Sequence, residues 1–262
     1  MDIGIACAFE TAQSGQLREA IETAAVAAEE LGFASWWGLA DRDVAPTTSH
    51  DATLGLMCVA RATRRMRIGL AGDALSVRAA AVRAKQLASL DWFSGGRLEI
   101  GVDLDAPPAE LVKPGTVVAD PVECTIDRLG AMETLWTERR GNYTSPTLSF
   151  AGAISNPKTV GDRRLRVHLR HASTPVLHRV LEARGAIEAW IAWKLDPAAL
   201  TAGLADLASS LPTDHGPVRR TWFVDPPLVA TSREQATEAG LDELVAVFDH
   251  VPGPTELREV MA

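Results

Sequence analysis

Three side chains that could bind an anion stand close together in the second half of the chain. Arg170, His171 and Ser173 supply a guanidinium, an imidazole and a hydroxyl group directly after a predicted strand. Such groups hold anions through charge-assisted hydrogen bonds. A simpler interpretation is also open, because Ser173 could cap the following helix, with Pro175 in its first turn.

Carboxylates follow another predicted strand. Asp103 and Asp105 come after the alternating run Leu98–Val102. Two negative charges at this position would repel an anionic ligand unless both side chains turn outward.

The remaining chemistry-bearing residue types form no recognisable site. Cys7, Cys58 and Cys124 are odd in number and widely spaced, and neither a CxxC pair nor a Cys/His cluster accompanies them. We therefore predict neither a disulfide nor a zinc site. Five histidines lack a partner at metal or triad spacing and are interpreted as surface or core residues: His50, His168, His178, His215 and His250.

Composition excludes several classes of partner. The chain has 262 residues and a net charge of −8 with dispersed acidic residues, which argues against binding to nucleic acid or to an anionic membrane. No stretch approaches the roughly 20 apolar residues of a membrane span. Met1 leads into a strand without a basic segment or cleavage site, so we expect a cytoplasmic protein.

Hydrophobic periodicity predicts alternating strands and helices in the first half. The predicted strands are Ile3–Phe9, Phe33–Leu39, Met66–Leu75 and Leu98–Val102. The predicted helices are Gln16–Leu31, Asp51–Thr63 and Val77–Trp92. This alternation calls for parallel strand pairing.

The second half is less regular. Its predicted helices are Val122–Trp136, Pro175–Ala183, Pro197–Ser210, Ser232–Ala239 and Thr255–Met261. Its predicted strands are Leu148–Phe150, Arg164–Leu169, Ile187–Trp193, Arg220–Val224, Leu228–Ala230 and, after a short helical turn, the end of Leu241–Phe248. Arg139–Asp162, rich in Gly, Pro, Ser and Thr, is the loosest region.

One helix-to-strand segment, Lys85–Asp103, carries a specific motif. Its sequence KQLASLDWFSGGRLEIGVD places Gly95 and Gly96 where the helix must stop and Leu98, Ile100 and Val102 as a strand. This segment closely resembles the signature of the bacterial luciferase-like oxidoreductases, which use a flavin or a deazaflavin. The residues in register are Leu90, Asp91, Ser94, Gly95, Gly96, Arg97, Leu98 and Gly101.

The resemblance implies a fold. It predicts an α/β protein, a luciferase-like TIM (β/α)8 barrel with shortened or degenerate strand-end loops, as one domain over residues 1–262. Active sites of such barrels lie at the carboxyl ends of the strands. Ser94–Arg97 is a helix-to-strand loop on the opposite face, so we expect it to stabilise the fold, with Arg97 pairing and the glycines turning the chain.

The resemblance also implies a coenzyme, FMN or F420, acting on a small organic substrate. The flavin ring would be lined by Phe9, Trp37, Ala71, Gly72 and Asp103. The phosphate would face Arg170, His171 and Ser173. The family often has a non-proline cis peptide beneath the ring, which would fall at Ala71-Gly72, although a glycine bulge is an alternative.

The strand ends depart from the family pattern. The family often carries Asp-His after its second strand, where this chain has Asp41-Arg42, and arginine stays charged and cannot serve as a neutral base. Arg42 and Asp103 are the candidate catalytic residues. Asp103 replaces a glycine of the family's Gly-Val-Gly, and Arg170-His171 replace a Gly-Gly pair whose amides hold phosphate.

Two functions therefore stay open. The first is a luciferase-like monooxygenase or oxidoreductase using FMN or F420; the second is a cofactor-free barrel acting as a partner subunit or ligand-binding protein. Trp37 and Trp193 could stack on a flat ring or plug the mouth of a barrel without one. The resemblance further implies a homodimer that pairs through Asp51–Thr63 and Arg78–Leu90.

Overall fold

The protein is a closed barrel of eight parallel strands surrounded by helices. The computed structural model describes residues 1–10, 15–39, 43, 50–107, 112, 118–170 and 172–262. The strands are β1 (Asp2–Cys7), β2 (Ser35–Gly38), β3 (Arg67–Asp73), β4 (Leu98–Asp103), β5 (Gly141–Thr144), β6 (Ser149–Ala153), β7 (Arg166–Arg170), β8 (Ala189–Trp193), β9 (Arg219–Val224) and β10 (Glu243–Phe248). All except β5 and β6 pair in the order β1-β2-β3-β4-β7-β8-β9-β10, and β10 returns to β1. The predicted TIM barrel is confirmed.

Helices alternate with these strands and cover the barrel. They are α1 (Leu17–Leu31), α2 (Ala52–Ala62), α3 (Ala80–Ser94), α4 (Pro121–Thr137), α5 (Thr174–Arg184), α6 (Pro197–Ser210), α7 (Val229–Glu238) and α8 (Pro254–Met261). The Asp51 carboxylate caps the start of α2, and Gly95 ends α3 with a left-handed φ of 70°. Among the described residues, no helix is long and apolar enough to cross a membrane.

Two sequence predictions of local structure need correction. The predicted strand Leu228–Ala230 is wrong, because Leu228 ends a short 3-10 turn and Val229 begins α7. Its apolar residues belong to a helix whose Val229 is buried, and the preceding prolines favour helical backbone angles. The loose region Arg139–Asp162 contains the β5–β6 hairpin, of which only the second strand was predicted.

The middle of the barrel is filled by apolar side chains. This inner cluster comprises Ala6, Ala8, Trp37, Leu39, Ala71, Ile191, Phe223, Val245 and Val247. Trp37 lies at its centre, with its ring 5.6 Å from Phe223 and 5.0 Å from His168. Gly69 leaves room for the indole, since a Cβ there would come within 2.1 Å of it.

Charged side chains fill the amino-terminal end of the barrel. Glu99 Oε2 lies 2.9 Å from His168 Nε2, and the Glu99 Oε1 atom accepts a hydrogen bond of 2.8 Å from Arg166. Buried Glu243 is contacted by Arg67 at 2.7 Å and by Arg219 at 3.2 Å. Burial alone would raise the pKa of Glu99, but the His168 hydrogen bond and the nearby arginines outweigh it and lower that pKa to about 2.

The Ser-Gly-Gly-Arg turn belongs to the same end. Arg97 donates hydrogen bonds to the carbonyl oxygens of Ala60, Thr63 and Met66. It thereby satisfies the carboxyl end of α2, where orphan carbonyls carry partial negative charge. Arg97 therefore has a structural role, and its partners include the Thr63 hydroxyl oxygen besides these backbone oxygens.

We predict that Glu99→Gln lowers the free energy of unfolding at pH 7 by roughly 2 kcal/mol, because the amide loses charge-assisted hydrogen bonds. The loss should shrink as the pH falls from the ordinary carboxyl pKa of 4.5 towards about 2, where the native carboxylate is itself protonated. Urea unfolding at several pH values measures this, with Glu238→Gln on the exposed side of α7 as the control. A pH-independent difference between the wild type and Glu99→Gln would contradict the assignment.

Candidate active-site mouth

The carboxyl end of the barrel is closed at its centre by three residues. Arg170, the last residue of β7, makes two hydrogen bonds to the carboxylate of Asp43, of 2.5 and 2.7 Å. The Arg170 guanidinium carbon also lies 3.9 Å from the ring centroid of Trp193, the last residue of β8. Both charged side chains are only 7% exposed. We call Asp43, Arg170 and Trp193 the mouth clamp.

Gly72 makes room for the mouth clamp. A Cβ at Gly72 would lie 2.8 Å from Arg170 Nη1 and 3.0 Å from its Cδ. The β3–β4 register shifts between Leu70 and Asp73, which places a bulge at this point. Among the described peptide bonds only Asn156–Pro157 is cis, so the bulge interpretation of Ala71-Gly72 is confirmed and the cis interpretation is wrong.

Ion pairs also fill the space behind the β3 bulge. Arg83 contacts Asp73 at 2.5 Å and donates a hydrogen bond of 2.8 Å to Thr53. The cavity that remains between these residues and Gly72 has a volume of about 20 Å³. This is enough for about one water molecule. A tricyclic ring does not fit there.

The other residues expected at the ring site separate in space. Ala71 and Trp37 lie inside the barrel, and Trp37 is fully buried below the mouth. Phe9 points the opposite way, with its ring against Gly55 of α2, so the expectation that Phe9 lines the ring site is corrected. Just beyond the end of β1, Ala8 belongs to the inner cluster whereas Phe9 packs with the outer core under the helices.

Asp103 is buried at the end of β4, beside Arg170 in the strand register. Its carboxylate accepts a hydrogen bond of 2.9 Å from the backbone N–H of Asp105. Ser173 occupies the position before α5 but makes no side-chain capping bond. Ser173 is exposed, whereas the buried Arg170 guanidinium is already engaged by Asp43 and Trp193. Arg42 and His171 lie outside the described residues.

An open cleft of about 640 Å³ lies beside the mouth clamp, between the ends of β8, β9 and β10 and helix α8. It reaches the inner cluster at Val247. Its charged residues are four carboxylates and two cationic groups: Asp225, Asp249, Glu256, Glu259, Lys194 and His250. Lys194 pairs with Asp225 at 2.5 Å. We call this volume the β10 cleft.

His250 is held between two carboxylates of the β10 cleft. Its Nδ1 lies 2.7 Å from Asp249 and its Nε2 lies 3.0 Å from Glu256. Burial lowers the pKa of His250, but the two carboxylates outweigh this effect and raise it above its ordinary value. The hydrogen bond from His250 correspondingly lowers the pKa of Asp249. The two carboxylates therefore stabilise the imidazolium form of His250.

Sequence reasoning missed this cleft. His250 was interpreted as a surface or core residue, although Asp249-His250 directly follows the last predicted strand. The signal that could have found it is position, since polar residues at the carboxyl end of a barrel strand line the functional face. Glu256 comes from the terminal helix, and its approach could not be read from spacing. Among the described residues, no group of three or more His, Cys, Asp or Glu side chains could hold a metal ion.

A family model described as luciferase-like monooxygenase matches residues 1–245. The chain belongs to the luciferase-like monooxygenase family. No curated protein matches this luciferase-like chain.

Solved structures share the luciferase-like fold at low sequence identity. The monooxygenase RslO1 from Streptomyces bottropensis is 16% identical, with a TM-score of 0.72 over 100% of this chain and 96% of that one. The coenzyme F420-dependent tetrahydromethanopterin reductase from Methanopyrus kandleri is 12% identical, with a TM-score of 0.76 over 99% and 97%. The oxygenating constituent of 3,6-diketocamphane monooxygenase from Pseudomonas putida, a type II Baeyer–Villiger enzyme in complex with FMN, is 12% identical, with a TM-score of 0.73 over 100% and 96%. At these identities the likeness shows the fold alone.

The described residues of this luciferase-like barrel do not fit FMN or F420. Either coenzyme needs space for a planar ring and a cationic or amide-rich place for phosphate. At the mouth centre the space is filled by Arg170 and Trp193, and Arg170 already pairs with Asp43. In the β10 cleft carboxylates outnumber cationic groups, so a phosphate there would meet net repulsion.

We predict that an NMR pH titration of the His250 imidazole gives a pKa above its ordinary value of 6.5. Glu256→Gln should lower that pKa, because the amide no longer stabilises the imidazolium. The stabilisation that this pair contributes is complete below pH 6.5 and is lost as the pH rises through the raised pKa. Glu259→Gln, in the same cleft but without contact to His250, is the matched control. Equal His250 titrations in the two variants would refute the pairing.

Proposed function

We propose that the chain is a luciferase-like barrel that works without a flavin or deazaflavin and binds a small organic molecule in the β10 cleft. The observation that carries this proposal is the mouth clamp. A buried, doubly hydrogen-bonded Arg170 occupies the centre of the face where barrels of this kind place their ligands. Open volume is found to one side, in the cleft.

The β10 cleft has the properties of a small-molecule site. Its volume of about 640 Å³ falls in the usual range of 300–1,000 Å³ for such sites. Apolar walls from Val229, Val247 and Phe248 face charged groups that include Lys194 and His250. Such a lining suits a ligand with an apolar body and a few hydrogen-bonding groups.

A second candidate is an oxidoreductase that uses FMN or F420 on a small organic substrate. This candidate is favoured by membership of the luciferase-like family. It is also favoured by structural neighbours that use F420 or hold FMN. When bound, the coenzyme would supply the hydride or oxygen chemistry. For this function Arg170 would have to leave Asp43 and Trp193, since its present position fills the mouth.

Coenzyme binding separates the two candidates. We expect the purified protein to show no visible absorbance from FMN or F420 and no saturable heat in calorimetric titrations with either coenzyme. The physical reason is the filled mouth and the excess of carboxylates in the cleft. One-to-one binding of FMN or F420 would overturn the cofactor-free proposal and support the oxidoreductase.

We also propose that the protein is a homodimer that pairs through α2 and α3. Leu54 and Val82 are 68% and 59% exposed on these helices, and with Met57 they line a shallow apolar groove of about 720 Å³. Exposed apolar patches of this kind mark protein interfaces. A second copy of the same face would cover both groups symmetrically.

Sedimentation tests this interface. We expect a dimer at micromolar concentration and a monomer for the double variant Leu54→Glu/Val82→Glu, because two carboxylates cannot be buried in an apolar contact. Val26→Glu, at a 42% exposed valine of α1, is the control and should remain dimeric. A monomeric wild type, or a dimeric double variant, would contradict the proposal.

A further inference from the structure

In the mouth clamp, the Arg170 guanidinium is held by Trp193 and Asp43 in the way that a binding site holds a ligand. The Arg170 guanidinium is planar and lies over the Trp193 ring at 3.9 Å, as a cationic group does in a cation–π contact. Its edge meets the Asp43 carboxylate through two parallel hydrogen bonds. Together these contacts surround one flat group with an aromatic face and a matching anion.

The neighbouring backbone is adapted to this group. Gly72 leaves space beside the Arg170 side chain, since a Cβ there would lie 2.8 Å from Nη1 and 3.0 Å from Cδ. Trp193 in turn packs on the inner cluster, with its ring centroid 5.2 Å from that of Phe223. The space that the Arg170 side chain fills is therefore bounded by an indole face, a carboxylate and the backbone at Gly72.

We propose that Arg170 determines the specificity of the barrel mouth: its guanidinium occupies a built-in site for a planar group and so keeps planar aromatic ligands out. This inference rests on the proposed cofactor-free function and names the residue responsible. Two consequences follow. Truncating Arg170 should open the mouth to a planar ring, and the vacated place should prefer a planar cation, because Asp43 and Trp193 remain.

The first test uses Arg170→Ala and riboflavin, which carries the planar ring without a phosphate. Quenching of riboflavin fluorescence measures binding. We expect the variant to bind riboflavin at least about tenfold more tightly than the wild type, a difference of about 1.4 kcal/mol. A folded Arg170→Ala protein that binds riboflavin no more tightly than the wild type would overturn the inference.

The second test is chemical rescue. Methylguanidinium at millimolar concentration should raise the Tm of Arg170→Ala and compete with riboflavin, because it restores the contacts with Asp43 and Trp193. Methylammonium has the same charge without the planar fork and should do neither. Equal effects of the two cations on the variant would overturn the assignment of the site to a planar group.

Two further variants serve as a substitute for Arg170→Ala and as a control. Arg170→Ala/Asp43→Asn removes the carboxylate left unpaired and serves if the single variant does not fold; it should gain riboflavin binding and lose the preference for methylguanidinium. Arg179→Ala breaks a solvent-exposed ion pair with Asp120, at 2.8 Å on the outside of the barrel, and should show neither gain nor rescue. Equal riboflavin affinity of the wild type and the folded double variant would also overturn the inference.

The Arg170 variants and FMN binding by the wild type test two different proposals. Saturable binding of FMN to the wild type overturns the cofactor-free function, whatever the variants do. Equal riboflavin affinity of the wild type and the folded Arg170 variants overturns the specificity role of Arg170, whether or not the wild type binds FMN.

Discussion

Neutralisation of two buried carboxylates, Glu99 and Glu243, constrains the whole barrel. Both side chains lie at its amino-terminal end, and a buried carboxylate without partners would cost several kcal/mol. The partners come from other strands: Arg67 from β3, His168 from β7 and Arg219 from β9. These groups meet only when the strands close in their observed register. The inner cluster around Trp37 then packs next to these ion pairs.

The carboxyl end of the barrel is also closed by an ion pair between buried side chains. Arg170 and Asp43 are both buried and neutralise each other across the mouth, whereas the arginines of the lower pairs are partly exposed. With both ends of the axis closed by ion pairs and the middle filled by the inner cluster, open volume remains off the axis. This explains why the described cleft lies beside β10 and is bounded by α8, while only about 20 Å³ remains near Gly72.

Local chemistry predicted much of the fold, and long-range pairing limited the prediction of the site. Gly95, with its left-handed φ, ends α3 where the sequence pattern placed the stop, and the helix predicted over Asp51–Thr63 begins directly after Asp51. Phe9 was misassigned because it lies in a bend beyond β1, where its side chain turns to Gly55 of α2, a contact between distant residues that no local pattern fixes. The pairing of Arg170 with Asp43 joins residues 127 positions apart, so only the folded barrel brings them together.

The family motif and the strand ends carry different information. Ser94–Arg97 ties α2 to the barrel at the face remote from the mouth, so its presence secures the scaffold whatever happens at the other end. At the mouth, the bulk and charge of Arg170 are accommodated by the absent side chain of Gly72, the carboxylate of Asp43 and the indole of Trp193. Without Asp43, an arginine buried at this point would be left with an unpaired charge. Gly72, Asp43, Trp193 and Arg170 therefore form one packing arrangement at the mouth, where the chain departs from the family pattern.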